Sequence, residues 1–104
     1  MVGDPPKNRY TGYVEFEWDL EKATNNLRKH KVSFGEAATV FGDTLSTTAR
    51  DPDHSTNEDR YITIGMSINH RLIMVAYTER GDRIRIISAR ELTRTERETY
   101  EKEG

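Results

Sequence analysis

Arg60-Tyr-Ile-Thr-Ile-Gly-Met-Ser67, the turn Ile68-Asn-His70, Arg71-Leu-Ile-Met-Val-Ala-Tyr-Thr-Glu79, the turn Arg80-Gly-Asp82 and Arg83-Ile-Arg-Ile-Ile-Ser-Ala-Arg90 make up the stretch on which the fold turns. Three β-prone runs joined by short polar turns predict an antiparallel meander. The middle run is apolar on both faces, which predicts a central strand. Side chains alternate faces along a strand, so the turns set the register. Centring the first turn near Asn69 places Arg60 beside Thr78 and Ile62 beside Ala76. Centring the second near Gly81 places Ile84 beside Thr78, Ile86 beside Ala76 and Arg90 beside Leu72. One face then gathers Ile62, Ile64, Met74, Ala76, Ile84 and Ile86, expected beneath helices. The other gathers Tyr61, Thr63, Tyr77, Glu79, Arg83 and Arg85. Tyrosines between arginines on an open sheet suit single-stranded RNA, whose bases stack on rings and whose phosphates pair with guanidinium groups. The structural alternative is that Tyr61 and Tyr77 only pack across strands.

Upstream, residues 1–12 mix proline, glycine and polar residues without a period, which predicts a flexible leader before a single domain at 13–104. Tyr13 to Trp18 is a predicted strand. Asp19 can cap a helix running to about His30, with Leu20, Ala23 and Leu27 as its apolar stripe and Lys22, Arg28, Lys29 and His30 as its charge. Ser33-Phe-Gly-Glu36 is a capping-box pattern that opens a second helix, ended by Gly42, whose buried side is Phe34, Ala37, Ala38 and Phe41. Leu45 to Ala49 is an expected edge strand, and residues 51–58 form a loop. Downstream, Thr93-Arg-Thr-Glu96 repeats the capping box and starts a charged helix that ends near Glu103. The fold class is therefore α+β. Its order is β-α-α-β-β-β-β-α, with a central antiparallel sheet, two N-terminal helices on one face and a short C-terminal helix.

A chain of 104 residues supports one core. No apolar run approaches the roughly 18 residues of a membrane span, and no signal-peptide pattern opens the chain, so a cytoplasmic protein is expected. Cysteine is absent, which removes disulfides, thiolate nucleophiles and zinc–sulfur sites. The net charge of −2 is unevenly spread. Six arginines at 80, 83, 85, 90, 94 and 97 stand against Asp82, Glu91 and Glu96, whereas 51–59 holds Asp51, Asp53, Glu58 and Asp59 with no lysine or arginine. A basic C-terminal third points to a focused anionic partner, against the plainer reading of an ion-paired surface.

Several pieces then fall in a familiar order: Phe16-Glu-Trp-Asp19, Asn26-Leu-Arg-Lys-His30 with Val32-Ser-Phe34, Asp51-Pro-Asp-His-Ser55 and Glu58-Asp-Arg-Tyr61. They continue with Ile64-Gly65, Thr78-Glu-Arg-Gly81, and Ile84-Arg-Ile-Ile-Ser-Ala-Arg90 leading into Thr93-Arg-Thr-Glu-Arg97. Together they cover residues 16 to about 101 and resemble the BrnT family of bacterial toxins. The resemblance implies a RelE-like fold and a metal-independent endoribonuclease that blocks translation. It also implies neutralisation by BrnA, a ribbon-helix-helix antitoxin, with operator DNA bound only through the complex, and it leaves room for a homodimer. No cofactor and no metal are called for. By motif, the family's functional arginines fall on Arg60, Arg80 and Arg90, with Glu58 and Arg83 adjacent.

Metal-free cleavage of RNA requires a base for the 2′-hydroxyl, an in-line grip on the phosphate and stabilisation of developing charge. Arginine supplies the last two through a fork that cannot lose its proton. Arg60, Arg80 and Arg83 are accordingly assigned to the phosphate, and Glu58, Glu79 or His54 to the base. Arg90 serves either a second phosphate subsite or the anchoring of the last helix. Lys29 and His30 close the first helix, where positive charge complements its carbonyl end, and both can also reach RNA backbone with Tyr61, Tyr77, Glu79 and Arg85. The competing function class is a non-catalytic module whose basic face only holds a protein partner.

Overall fold

A computed structural model describes residues 7–8, 12–51 and 58–103. Among these residues, seven strands and three helices follow in the order β1 (Lys7–Asn8), β2 (Gly12–Tyr13), β3 (Glu15–Glu17), α1 (Leu20–His30), α2 (Phe34–Thr39), a 3-10 turn (Val40–Gly42), β4 (Thr47–Arg50), β5 (Arg60–Met66), β6 (Leu72–Arg80), β7 (Arg83–Glu91) and α3 (Arg94–Glu103). Most of the expected leader, with His54 and the rest of residues 52–57, lies outside the described residues. β1 lies in the expected leader and pairs antiparallel with β2, which straddles its end at Gly12–Tyr13.

The caps act where the sequence places them. The Asp19 carboxylate accepts the Lys22 amide at 2.9 Å, and the Ser33 hydroxyl accepts that of Glu36 at 3.0 Å. At α3 the box is reciprocal: Thr93 Oγ1 accepts from Glu96 N at 3.2 Å, and Glu96 Oε1 accepts from Thr93 N at 2.9 Å. Glu36 does not reach back in the same way. Its carboxylate turns to Arg71 and Ser67 instead.

The main sheet has the order β3-β7-β6-β5-β4. It is mixed rather than wholly antiparallel, because β3 pairs parallel with β7, Glu15 against Arg83 and Glu17 against Arg85. The chain must cross from β3 through α1, α2 and the whole meander before it returns beside β3, and that crossover sets the direction.

The first hairpin has the expected register, Arg60 against Thr78 and Ile62 against Ala76. The second does not. Gly81, at φ 63°, and Asp82 make a two-residue turn, so Arg80 faces Arg83, Thr78 faces Arg85 and Tyr77 faces Ile86. A positive φ at the first central residue suits glycine and a primed hairpin turn. An irregularity between Ala76 and Tyr77 then brings Ser88 opposite Ala76 and Arg90 opposite Met74, in place of Leu72.

The expected assignment of faces is corrected accordingly. The core holds Val32, Phe34, Ala37, Val40, Ile73, Val75, Tyr77, Ile84, Ile86 and Ala89. Tyr61 and Tyr77 are therefore on the covered side, their rings stacked at 5.7 Å, and Phe41 meets Tyr77 edge-on at 5.0 Å. Ile62, Met74 and Ala76, expected under the helices, line the opposite, open face. Alternation from those positions puts Arg60, Arg80, Arg83, Arg85 and Arg90 on that same open face.

Helix α1 also departs from its expected stripe. Leu20 and Leu27 are 78% and 49% exposed, while Asn26 is buried and Ala23 and His30 are half-buried. The helix seals the edge of β7 beyond the short β3 rather than lying over the sheet. Asn26 Nδ2 donates to the Ala89 carbonyl at 2.8 Å and to the Val32 carbonyl at 2.9 Å, and Ala89 N donates to Asn26 Oδ1 at 3.1 Å. One side chain thus stands in for a missing strand partner.

Gly65 marks a close approach between sheet and cover. A Cβ there would lie 2.9 Å from Ser46 Cβ, 3.0 Å from Val40 Cγ1 and 3.1 Å from Asp43 Oδ2. Gly65→Ala is expected to cost about 1–3 kcal/mol by overpacking, read as a lower urea midpoint at unchanged slope. An unchanged midpoint would mean that the cover yields freely.

Candidate nucleic-acid interface

The open face carries a groove of ≈ 280 Å³ lined by His30, Asp51, Arg60, Ile62, Met74, Ala76, Ser88, Ala89 and Arg90. Its floor is β5, β6 and β7. Asp51 leaves β4 and donates its backbone N–H to the Arg60 carbonyl at 2.7 Å, so the acid and Arg60 stand on the β4 side. His30 reaches in from the opposite side over the edge of β7. Asn26, one turn earlier on the same helical face, is bonded to Ala89, which holds the His30 end of the helix at the wall that Ala89 and Arg90 also line. Thr78, between Arg60 and Arg85 in the register, is 5% exposed, and among the described residues its hydroxyl has no hydrogen-bond partner.

Arg90 is gripped by α3. Its Nη1 and Nη2 donate to Glu96 Oε1 and Oε2 at 2.8 and 3.0 Å, a fork-on-fork pair, and Nη1 also donates to the Glu91 carbonyl at 3.2 Å. The Arg90 guanidinium, with the Thr93 amide, holds the Glu96 carboxyl at about 2. Of the two roles open for Arg90, the anchoring of the last helix is a visible contact, and the same side chain walls the groove.

The other arginines cluster at the hairpin end with carboxylate partners. Arg80 Nε lies 3.2 Å from Glu58, and Arg83 Nε lies 3.2 Å from Glu15. Arg85 Nη1 donates to Glu17 at 3.0 Å, and this bond holds the Glu17 carboxyl below its usual range. The Arg80–Glu58 and Arg83–Glu15 pairs are at least 42% exposed on each side. Exposed pairs are worth at most about 1 kcal/mol, so a phosphate can displace the carboxylate. Arg60 and Arg80 share an end of the face, but Arg83 leans to the β3 glutamates rather than toward the groove.

The remaining expected contacts separate. Tyr77 is 5% exposed, its hydroxyl accepts from Thr63 at 3.2 Å, and burial pushes its pKa up. It cannot stack on a base. Half-buried Tyr61 is committed to Tyr77. Glu79 is exposed at the end of β6 on the tyrosines' side of the sheet, and Lys29 is exposed on α1, away from the groove lining. Among the described residues, no three of His, Cys, Asp or Glu stand close enough together to hold a metal ion, and no helix is long and apolar enough to cross a membrane.

The sequence reading missed Asp51 as a groove residue and Asn26 as the lock for His30. A polar Asn on the same helical face as Ala23 and His30 was the available signal for the second. Asp51 had none, because its loop has no period.

In comparison with known proteins, no curated sequence matches the chain. A crystal structure of the Brucella abortus ribonuclease toxin BrnT superposes with a TM-score of 0.58 at 23% identity, covering 78% of this chain and 99% of that one. At that identity the likeness establishes the shared fold. The sequence model of the ribonuclease toxin BrnT of type II toxin–antitoxin systems matches residues 18–96. That span runs from the end of the first strand of the main sheet to the Glu96 that holds Arg90, and the chain belongs to the BrnT ribonuclease toxin family.

Proposed function

We propose that the open-face groove is the catalytic centre of a metal-independent endoribonuclease that cuts single-stranded RNA and thereby stops translation. The observation that carries the reading is the groove itself, in which an apolar floor of Ile62, Met74 and Ala76 lies between Arg60 on one side and His30 with Arg90 on the other. A base rests on the floor, and Arg60 grips the scissile phosphate. Arg80 and Arg83, released from Glu58 and Glu15, draw in the flanking backbone. Arg90 keeps the far wall in place through Glu96. No aromatic platform is needed, because the apolar floor supplies the flat surface that the buried tyrosines cannot.

The partner is a BrnA-like ribbon-helix-helix antitoxin that covers the arginine face, and operator DNA is contacted only through that complex. The reaction belongs in the cytoplasm, where messenger RNA is engaged.

Expression of the chain alone is expected to arrest growth and truncate messenger RNA. Arg60→Ala should lower cleavage of purified RNA by about 10²–10³-fold, the usual loss when a donor to developing negative charge is removed. Cleavage by the unmodified chain should persist in excess chelator. Wild-type-like cleavage by Arg60→Ala would refute the assignment. Absence of any cleavage or arrest by the unmodified chain would favour the non-catalytic module.

A further inference from the structure

We propose that His30 is the general acid of this groove, the residue that protonates the leaving 5′-oxygen. The proposal rests on the ribonuclease reading above and goes beyond it by assigning one of the two proton transfers. In the reaction the O2′–P bond forms and the P–O5′ bond breaks. A proton leaves O2′ and one is delivered to O5′, giving a 2′,3′-cyclic phosphate and a 5′-hydroxyl with no water consumed.

In-line displacement puts nucleophile and leaving group on opposite sides of phosphorus, so acid and base must come from opposite walls. The topology supplies that arrangement. Asp51 stands on the β4 side beside Arg60, and His30 stands across the floor on the β7 side beside Arg90. A carboxylate at neutral pH can only accept, whereas an imidazole readily exchanges a proton in that range. Glu58 and Glu79, the carboxylates first assigned to the base, are both outside the groove lining.

His30 is also built to hold still. It is the last residue of α1, and Lys31 follows in the left-handed conformation at φ 61° with its N–H donating to the Leu27 carbonyl at 2.9 Å. One turn before it, Asn26 fastens the helix to Ala89. Positioned acids of this kind contribute about 10²–10⁴-fold.

The test exploits the leaving group. DNA oligonucleotides carrying one central ribonucleotide, with each of the four bases in turn, are prepared with either oxygen or bridging sulfur at the 5′-leaving position. A thiolate departs without protonation, because a thiol is a far stronger acid than an alcohol. His30→Ala and His30→Gln should cut the oxygen linkage at least about 100-fold more slowly than wild type, yet cut the sulfur linkage at about the wild-type rate. Melting curves must first establish that both variants are folded, and the glutamine keeps most of the bulk at the helix end. Equal losses on both linkages in a folded variant, or no loss on oxygen, would overturn the role of His30 and leave the ribonuclease intact. Failure of the wild type on both linkages would remove the nuclease reading, and this one with it.

Discussion

Arg71→Ala is expected to destabilise the fold by about 3 kcal/mol, a large share of the 5–15 kcal/mol that a domain of this size holds in reserve. Arg71 gathers four acceptors at the mouth of the first hairpin. Its Nε donates to Glu36 Oε2 at 2.9 Å and its Nη2 to Glu36 Oε1, while Nη1 reaches Glu91 at 3.0 Å and Nη2 the Lys31 carbonyl at 3.0 Å. Ser67 Oγ donates to the same Glu36 carboxylate at 2.7 Å. The Glu36 side chain is only 8% exposed, and removal of the arginine leaves its charge buried with only the neutral donors Ser67 and Asn69 for company. The cost is that of the stranded carboxylate, not of a surface ion pair. Adding Glu36→Gln to Arg71→Ala should therefore recover part of the loss, and equilibrium urea unfolding of both variants reads it. Two variants of equal stability would show that the carboxylate finds water instead.

The same group gives the sign of the pH dependence. The Arg71 hydrogen bonds lower the Glu36 pKa in the folded chain. Its contribution is present above the unfolded carboxylate value and disappears as pH falls through the folded one. The gap between wild type and Arg71→Ala should be widest near neutrality and close in acid.

Asn26→Ala has a comparable expected effect, about 3 kcal/mol, through a different route. It strands the N–H and C=O of Ala89 and the carbonyl of Val32, each worth about 1–3 kcal/mol if water cannot reach it. Part of that is offset where the loosened helix lets solvent in. The diagnostic signal is local: the Ala89 amide should lose hydrogen-exchange protection far more than amides in the centre of β6. Asn26→Asp keeps the acceptor for Ala89 N but sets a carboxylate against two carbonyls, and it should be no better than alanine. Because Asn26 also fastens the helix that carries His30, either variant should lose cleavage before it loses fold. Undiminished protection at Ala89 would mean that α1 is held by other contacts.

These two clusters were hidden in the sequence for a common reason. Arg71 and Glu36 are 35 residues apart, and Asn26 and Ala89 are 63 apart. Neither pair has any local period, and Glu36 has the spacing of a capping box. Arg60 and Arg90 were legible as candidates from their strand motifs, yet their sharing of one groove depends on a register that the turns alone did not give.

The sequence by itself determined the order of the helices and of the main-sheet strands, though not the β1–β2 pair, because caps, turns and apolar alternation are chemistry among neighbours: Asp19, Ser33 and Thr93 start their helices where they stand. It also determined the pairing of the first hairpin. Only the tertiary structure decided which face of the meander is covered. Strand β6 is apolar on both sides, so Tyr77 and Met74 are equally good core residues until α2 and the Val40–Gly42 turn settle on one of them. The two-residue turn at Gly81 and the irregularity beside Ala76 shift parity along β7, and that shift aims Ser88 and Arg90 into the groove. Alternation carries a period of two but no origin, and in this chain packing supplied the origin.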